Sequence, residues 1–237
     1  MENENEKYLN FRRINDQETE LYIYGNIAKK DFVDDWFGTG KEKTDSYTLK
    51  DALAKVDTPN LTVRINSSGG IVNEGLAIYN LLSEFKGHLR TIVDGWACSA
   101  ASFIFMAGEE RICPESSLLM IHNAWSSIQG DFNDMRKAAE DLEKINQPSV
   151  NIYVSKTGLS EEKIKEMMDQ ETWLTSKEAY DLGFATAIKR DEEKQSIEIG
   201  HVCNLVKKIK ALEKKIIVNN AGKKKNSEED SWESFLN

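Results

Sequence analysis

Residues 60–85 read NLTVRINSSGGIVNEGLAIYNLLSEF. The first seven, Asn60 to Asn66, alternate and are rich in branched side chains, the pattern of a strand. SSGG, Ser67 to Gly70, interrupts that alternation. From Ile71 the apolar residues Ile71, Leu76, Ile78, Tyr79, Leu81 and Leu82 recur at helical spacing, which predicts a helix lying over a sheet. His88 and Leu89 then lead into a second strand, Thr91 to Asp94. Strand, glycine turn, helix, strand is a βαβ unit with a right-handed crossover, so the fold class is α/β.

The arrangement recurs immediately downstream. VDGWACSAASFIFMAG, Val93 to Gly108, passes from an extended segment through a cluster of very small residues into an apolar helix. A serine at a strand-to-helix turn can present its hydroxyl and neighbouring N–H groups to a substrate, which makes Ser99 a candidate nucleophile. The competing reading is that the small residues only let this helix pack closely on a sheet.

Outward from these two units, ELYIYGNI (residues 20–27) is a strand ending near Gly25, and Leu49 to Lys55 a short helix. Arg111 to Pro114 and Ser117 to His122 are short strands. Asn133 to Lys156 is helical, with Met135, Ala138, Ala139, Leu142, Ile145, Val150 and Val154 on its apolar positions and a kink or break expected at Pro148. It reads either as an arm that docks on another subunit or as two shorter helices folded back on the core. Ser160 caps a helix over Glu161 to Met168, another covers Thr175 to Gly183, and Phe184 to Ile188 is the last strand. The expected layout is an N-terminal extension (1–19), frayed to about Asn10, one domain (20–188), and a charged C-terminal extension (189–237). In that extension Val202, Leu205, Ile209, Leu212 and Ile216 suggest a short amphipathic helix, and the residues from 223 onward a disordered end.

Composition removes several function classes. The 237 residues carry a formal net charge of -9, without the basic surplus that binding to nucleic acid needs. Cys98, Cys113 and Cys203 are too few and too scattered for a disulfide framework or a zinc site, so no metal is expected. MENENEKYLN is acidic where a signal peptide is basic and then apolar, and no apolar run is long enough to span a bilayer; the expectation is a cytoplasmic protein with no membrane partner. GTGK, Gly38 to Lys41, lacks the upstream glycine and the following Ser or Thr of a phosphate loop and is expected to be an ordinary loop. No cofactor is implied.

A nucleophilic serine needs a base. Of three histidines, His201 lies in the tail and His88 at the far end of the strand that leads to Ser99, whereas His122 ends the apolar strand SLLMIH, which can return beside Ser99. The SSGG segment can supply backbone donors to an oxyanion, the alternative being an ordinary turn. A carboxylate must orient the imidazole, and Asp169 and Glu171 in MMDQETW face the same side of an extended segment, so spacing leaves both open.

RINSSGGIVNEGLAIYNLL, GWACSAASFIFMAG, LLMIHNAW and TWLTSKEAYDLGFA, in this order and spacing, resemble the ClpP-type serine proteases, most closely the ClpP-like head maturation (prohead) proteases of tailed phages. The resemblance covers residues 20–188. It implies a ClpP/crotonase-like ββα spiral with a protruding handle helix. It also implies Ser99 as nucleophile, His122 as general base, Glu171 as acid where ClpP itself has Asp, with Asp169 as the alternative, and the amides of Gly70 and Ala100 as oxyanion hole. Ser68 stands where the family's turn usually has proline, so that turn is expected to be less preorganised. The expected partners are a protein or peptide substrate and further copies of the chain, in a heptameric or stacked double ring joined through the handle helix. The function implied is ATP-independent cleavage of scaffold or capsid proteins. The alternatives are the proteolytic subunit of an ATP-dependent Clp protease, a catalytically silent head scaffold component, a nucleophilic Cys98, and a crotonase-type acyl-CoA enzyme.

Overall fold

Alternating apolar residues in three adjacent strands build the sheet on which everything else rests. The structure, a computed structural model, describes residues 11–29 and 43–190. In chain order its elements are β1 (Phe11–Arg13), β2 (Glu18–Ile27), β3 (Lys43–Thr44), α1 (Ser46–Leu53), β4 (Asn60–Gly70), α2 (Val72–Ser83), β5 (His88–Cys98) and α3 (Ala100–Phe105). There follow β6 (Glu110–Pro114), β7 (Leu118–Ile121), α4 (Phe132–Thr157), α5 (Glu161–Asp169), β8 (Thr172–Thr175), α6 (Ser176–Asp181) and β9 (Ala187–Lys189). The GTGK segment, the first ten residues and the tail beyond Arg190 lie outside the described residues.

The main sheet has the order β1-β2-β4-β5-β6-β9, with every neighbour from β2 to β9 parallel, as the βαβ pattern requires. Leu21 and Ile23 of β2, Val63 and Ile65 of β4 and Val93 of β5 are fully buried, and they form one core with Ile78 and Leu82 of α2 and Ile104 and Phe105 of α3. Each such side chain contributes about 1.5–3 kcal/mol on burial. The alternate residues form a polar ladder on the other face. There Arg64 donates from Nε to Asp94 at 2.8 Å and the Tyr24 hydroxyl donates to the same carboxylate at 2.6 Å.

Two strands run further than their sequence pattern suggests. SSGG is not a turn: Gly69 and Gly70 continue β4 and pair with Asn26 and Ile27, which also carries β2 past Gly25. Strand β5 extends to Cys98 through an irregularity at which Ile65 faces Val93 but Ser67 faces Ala97. Asn66 fills the gap, its Oδ1 accepting the Trp96 N–H at 3.2 Å, and Gly95 leaves room for it, since a Cβ there would stand 2.7 Å from that oxygen. Such a bulge bends a strand. Its consequence is that the first part of β5 (Arg90–Ile92) pairs with β6, while the last part (Trp96–Cys98) pairs with β7.

Helix α4 runs unbroken through Pro148, so the expected break and the folded-back pair of helices are not found. Asp131 caps its start in a capping box with Asp134, and Gly158 (φ 76) ends it. Its first half is exposed, including Phe132 and Met135; full burial begins with Ser149, Val150 and Tyr153. The last strand starts later than expected, at Ala187, because Phe184 and Ala185 are drawn into the core. Arg111, itself buried, fixes this corner by donating to the carbonyls of Gly108, Phe184 and Gly183.

Candidate active site

The bent end of β5 delivers Ser99 to the start of α3 in a conformation that L-residues avoid, φ 53 and ψ −124. Among the described residues only Ser99 and Glu171 combine a side chain with positive φ. Such a backbone costs on the order of 1–3 kcal/mol and persists only where its surroundings hold it. The Ser99 N–H donates to the Met120 carbonyl on β7 at 2.9 Å, and the Ser99 carbonyl accepts from both the N–H and the hydroxyl of Ser102, at 2.9 and 2.6 Å. Ser99 occupies the N-cap position of α3, yet its side chain caps nothing and is left for another partner.

That partner is His122, the residue after β7. Its Nε2 lies 2.8 Å from Ser99 Oγ, a contact created by the pairing of Cys98 with Met120. The imidazole is only 13% exposed, and its Nδ1 stands 3.3 Å from Glu171 Oε1, a side chain 72% exposed. Glu171 is placed by the end of α5: its N–H closes on the Met168 carbonyl at 3.2 Å, and φ 48 turns the chain into β8, which pairs antiparallel with β7. Asp169 is turned elsewhere and accepts from Asn123 Nδ2 at 2.7 Å. Between the two carboxylates that spacing leaves open, the fold brings Glu171 to the imidazole. The segment after His122 is also pinned from α4, where Asn146 Oδ1 accepts the Ala124 N–H at 2.7 Å.

On the opposite side of Ser99 stands Gly69, with φ +95. A Cβ there would sit 2.6 Å from Ser99 Cβ and 2.9 Å from the Ala100 nitrogen, so only glycine leaves that N–H open to an incoming group. Gly70 packs instead against β2, where a Cβ would stand 2.1 Å from the Ile27 carbonyl oxygen. Ser68 is tied to β2 by its hydroxyl, 3.3 Å from Asn26 Oδ1. His88 is remote from Ser99 along β5 and contacts Glu109 at 3.1 Å. Cys98 is buried, and burial pushes its thiol up to about 11, which keeps it protonated near neutral pH. Among the described residues no group of three or more His, Cys, Asp or Glu could hold a metal ion, and no helix is long and apolar enough to cross a membrane.

The family model described as Clp protease matches residues 49–192, a span that contains β4, β5, β7, β8 and every side chain of this site. The chain belongs to the Clp protease family. It is 30% identical over 139 residues to "ATP-dependent Clp protease proteolytic subunit 3" of Rhizobium etli, covering 58% of this chain and 72% of that protein. The fold is that of a ClpP1 mutant from Listeria monocytogenes, with a TM-score of 0.60 at 22% identity over 73% of this chain and 92% of that one. The α/β class and the family expected from the four motifs are therefore correct.

Three residues of this Clp-family site have no signal in the sequence that marks them. Ser102 reads as a small packing residue, and neither Tyr153 nor Asn146 is singled out by the apolar spacing of the helix. Each contributes through a hydrogen bond across 22 to 51 residues of chain. Gly69 could have been found, because paired glycines inside a strand signal a close backbone approach.

Proposed function

We propose that this Clp-family protein is a serine endopeptidase that works through an acyl-enzyme, with Ser99 as nucleophile, His122 as general base and Glu171 as the orienting acid. The observation that carries this reading is the 2.8 Å contact between Ser99 Oγ and His122 Nε2 at a strained backbone position. With Nδ1–H directed at Glu171, Nε2 is the acceptor and takes the Ser99 proton as Oγ attacks the scissile carbonyl. The proton then passes to the leaving amine, and water hydrolyses the ester by the same route in reverse. The amides of Ala100 and Gly70 are the proposed oxyanion donors. Ala100 opens α3, where the first N–H groups of a helix have no intrahelical acceptor.

The substrate we favour is a scaffold or capsid protein of an assembling phage head, cleaved without ATP by a homo-oligomeric ring. The four motifs support this through their likeness to head maturation proteases, and so does the charged extension beyond residue 189. The chain-level layout of an N-terminal extension, a protease domain and that extension belongs to the same proposal, as does a ring joined through α4 and a cytoplasmic site of action. A second reading is favoured by the Rhizobium etli relative, whose name makes it the proteolytic subunit of an ATP-dependent protease. The test is digestion of unfolded casein and of purified scaffold and capsid proteins by the full chain, with and without a Clp-type ATPase and ATP. The proposal expects ATP-independent cleavage of the head proteins that Ser99→Ala abolishes. Cleavage only with the ATPase supports the second reading, and undiminished cleavage by Ser99→Ala sinks both.

A further inference from the structure

A line of hydroxyls runs from the C-terminal end of α4 to the peptide bond that follows Ser99. Tyr153 is fully buried on α4, with its ring against Phe184, and its hydroxyl lies 2.6 Å from Ser102 Oγ. Ser102 Oγ lies 2.6 Å from the Ser99 carbonyl oxygen. The direction of each bond follows from proton count. A carbonyl only accepts, so the single hydroxyl proton of Ser102 goes to Ser99; Ser102 Oγ can then only accept, and the proton between it and the phenol is the phenol's. Burial pushes the Tyr153 hydroxyl above its ordinary value, so it stays protonated and donates at neutral pH.

The anchored carbonyl shares one planar trans peptide unit with the Ala100 N–H, and in such a unit C=O and N–H point in opposite directions. Fixing the carbonyl therefore fixes the N–H. The Ser99 carbonyl takes two hydrogen bonds, from Ser102 N–H and Ser102 Oγ–H, which satisfies both lone pairs and resists rotation of the peptide about its flanking bonds. On the far side Gly69 leaves the space into which this N–H opens.

We propose that Tyr153 and Ser102 are positioning residues for the reaction: the relay Tyr153 to Ser102 to the Ser99 carbonyl holds the strained nucleophile residue and aims the Ala100 N–H at the oxyanion. This inference rests on the serine-protease reading and adds two residues to it, one of them on a helix that touches no reacting atom. Asn146, seven residues earlier on α4 and so on the same helical face, holds the segment after His122. Helix α4 thus supports the nucleophile and base segments together.

The test is labelling of the full chain by a fluorophosphonate, whose phosphoryl oxygen occupies the same oxyanion position, with the saturating rate and the half-saturating concentration measured separately. Ser102→Ala and Tyr153→Phe are each expected to slow the saturating rate roughly tenfold, less than the order of 10²- to 10³-fold for outright loss of an oxyanion donor. Half-saturation should stay unchanged. The double variant Ser102→Ala/Tyr153→Phe should be no slower than Ser102→Ala alone, because the two groups act in series. It also removes both buried polar partners at once, which keeps it folded if a single variant is not. An unchanged saturating rate in a folded variant, or losses that multiply in the double variant, overturns the relay and leaves Ser99 as nucleophile. Labelling of Ser99→Ala at the normal rate overturns the serine reading and the relay with it.

Discussion

Ser99 and Glu171 share a left-handed backbone angle, φ 53 and φ 48, but the protein treats them differently. Ser99 is held through its N–H, its carbonyl and its hydroxyl, against Met120, Ser102 and His122 respectively. Glu171 has its N–H on the Met168 carbonyl, its side chain is 72% exposed, and its contact with the imidazole is long at 3.3 Å. The contrast follows what each proposed role demands. A nucleophile and its oxyanion donors must be placed to a fraction of an ångström, because misplacement is felt directly in the transition state. A carboxylate that only orients an imidazole can act across a looser contact, and a glutamate, with one more methylene than aspartate, reaches in from a backbone set further back.

The largest effect should come from crowding the tightly built side without replacing a reacting side chain. Gly69→Ala places a methyl 2.9 Å from the Ala100 nitrogen and forces an L-residue to φ +95, so turnover of casein should fall on the order of 10²- to 10³-fold. Near-normal turnover by a folded Gly69→Ala would show that the Ala100 N–H is not used. On the loosely built side the expected loss is smaller. Glu171→Gln should reduce kcat by roughly 10- to 100-fold, well short of the ~10⁴-fold seen when a buried acid is neutralised. Asp169→Asn should change it little, since Asp169 serves Asn123. A larger loss in Asp169→Asn than in Glu171→Gln would reverse the assignment of the acid.

Cys98, adjacent to Ser99, should give the smallest effect. Burial raises its thiol from 9.0 to about 11 in the folded protein. Above pH 9 the unfolded chain releases this proton while the folded chain keeps it, so the contribution is constant below that pH and declines as pH rises towards 11. Cys98→Ala should leave turnover at neutral pH unchanged and make denaturant midpoints less sensitive to pH in that alkaline window. Loss of turnover in Cys98→Ala with retention in Ser99→Ala would make the thiol the nucleophile.

Most of this architecture is legible in the sequence where the signal is local. The βαβ unit, the cap at Ser160 and the long helix follow from spacing and capping chemistry over a few residues. The order of motifs assigns the family and puts Ser99 and His122 side by side. What escaped is set by partners far along the chain. SSGG reads as a turn because glycines break alternation, but Asn26 and Ile27 recruit Gly69 and Gly70 into the ladder. The bend that moves β5 from β6 to β7 depends on Asn66 meeting Gly95, a pairing invisible before the strands are aligned. Pro148 argues for a break, yet the helix continues past it. Ser102 and Tyr153 lie 51 residues apart, and nothing in either local pattern points to the other. The choice between Asp169 and Glu171 turns on one residue, Gln170, at the end of α5, after which the positive φ of Glu171 redirects the chain.

The most direct test of the central claim is to label the full chain with a fluorophosphonate, digest it and locate the adduct by mass spectrometry. A single adduct on Ser99, lost in Ser99→Ala and retained in Cys98→Ala, is the predicted result. An adduct on any other residue, or no adduct on a folded protein that still cleaves casein, would contradict it.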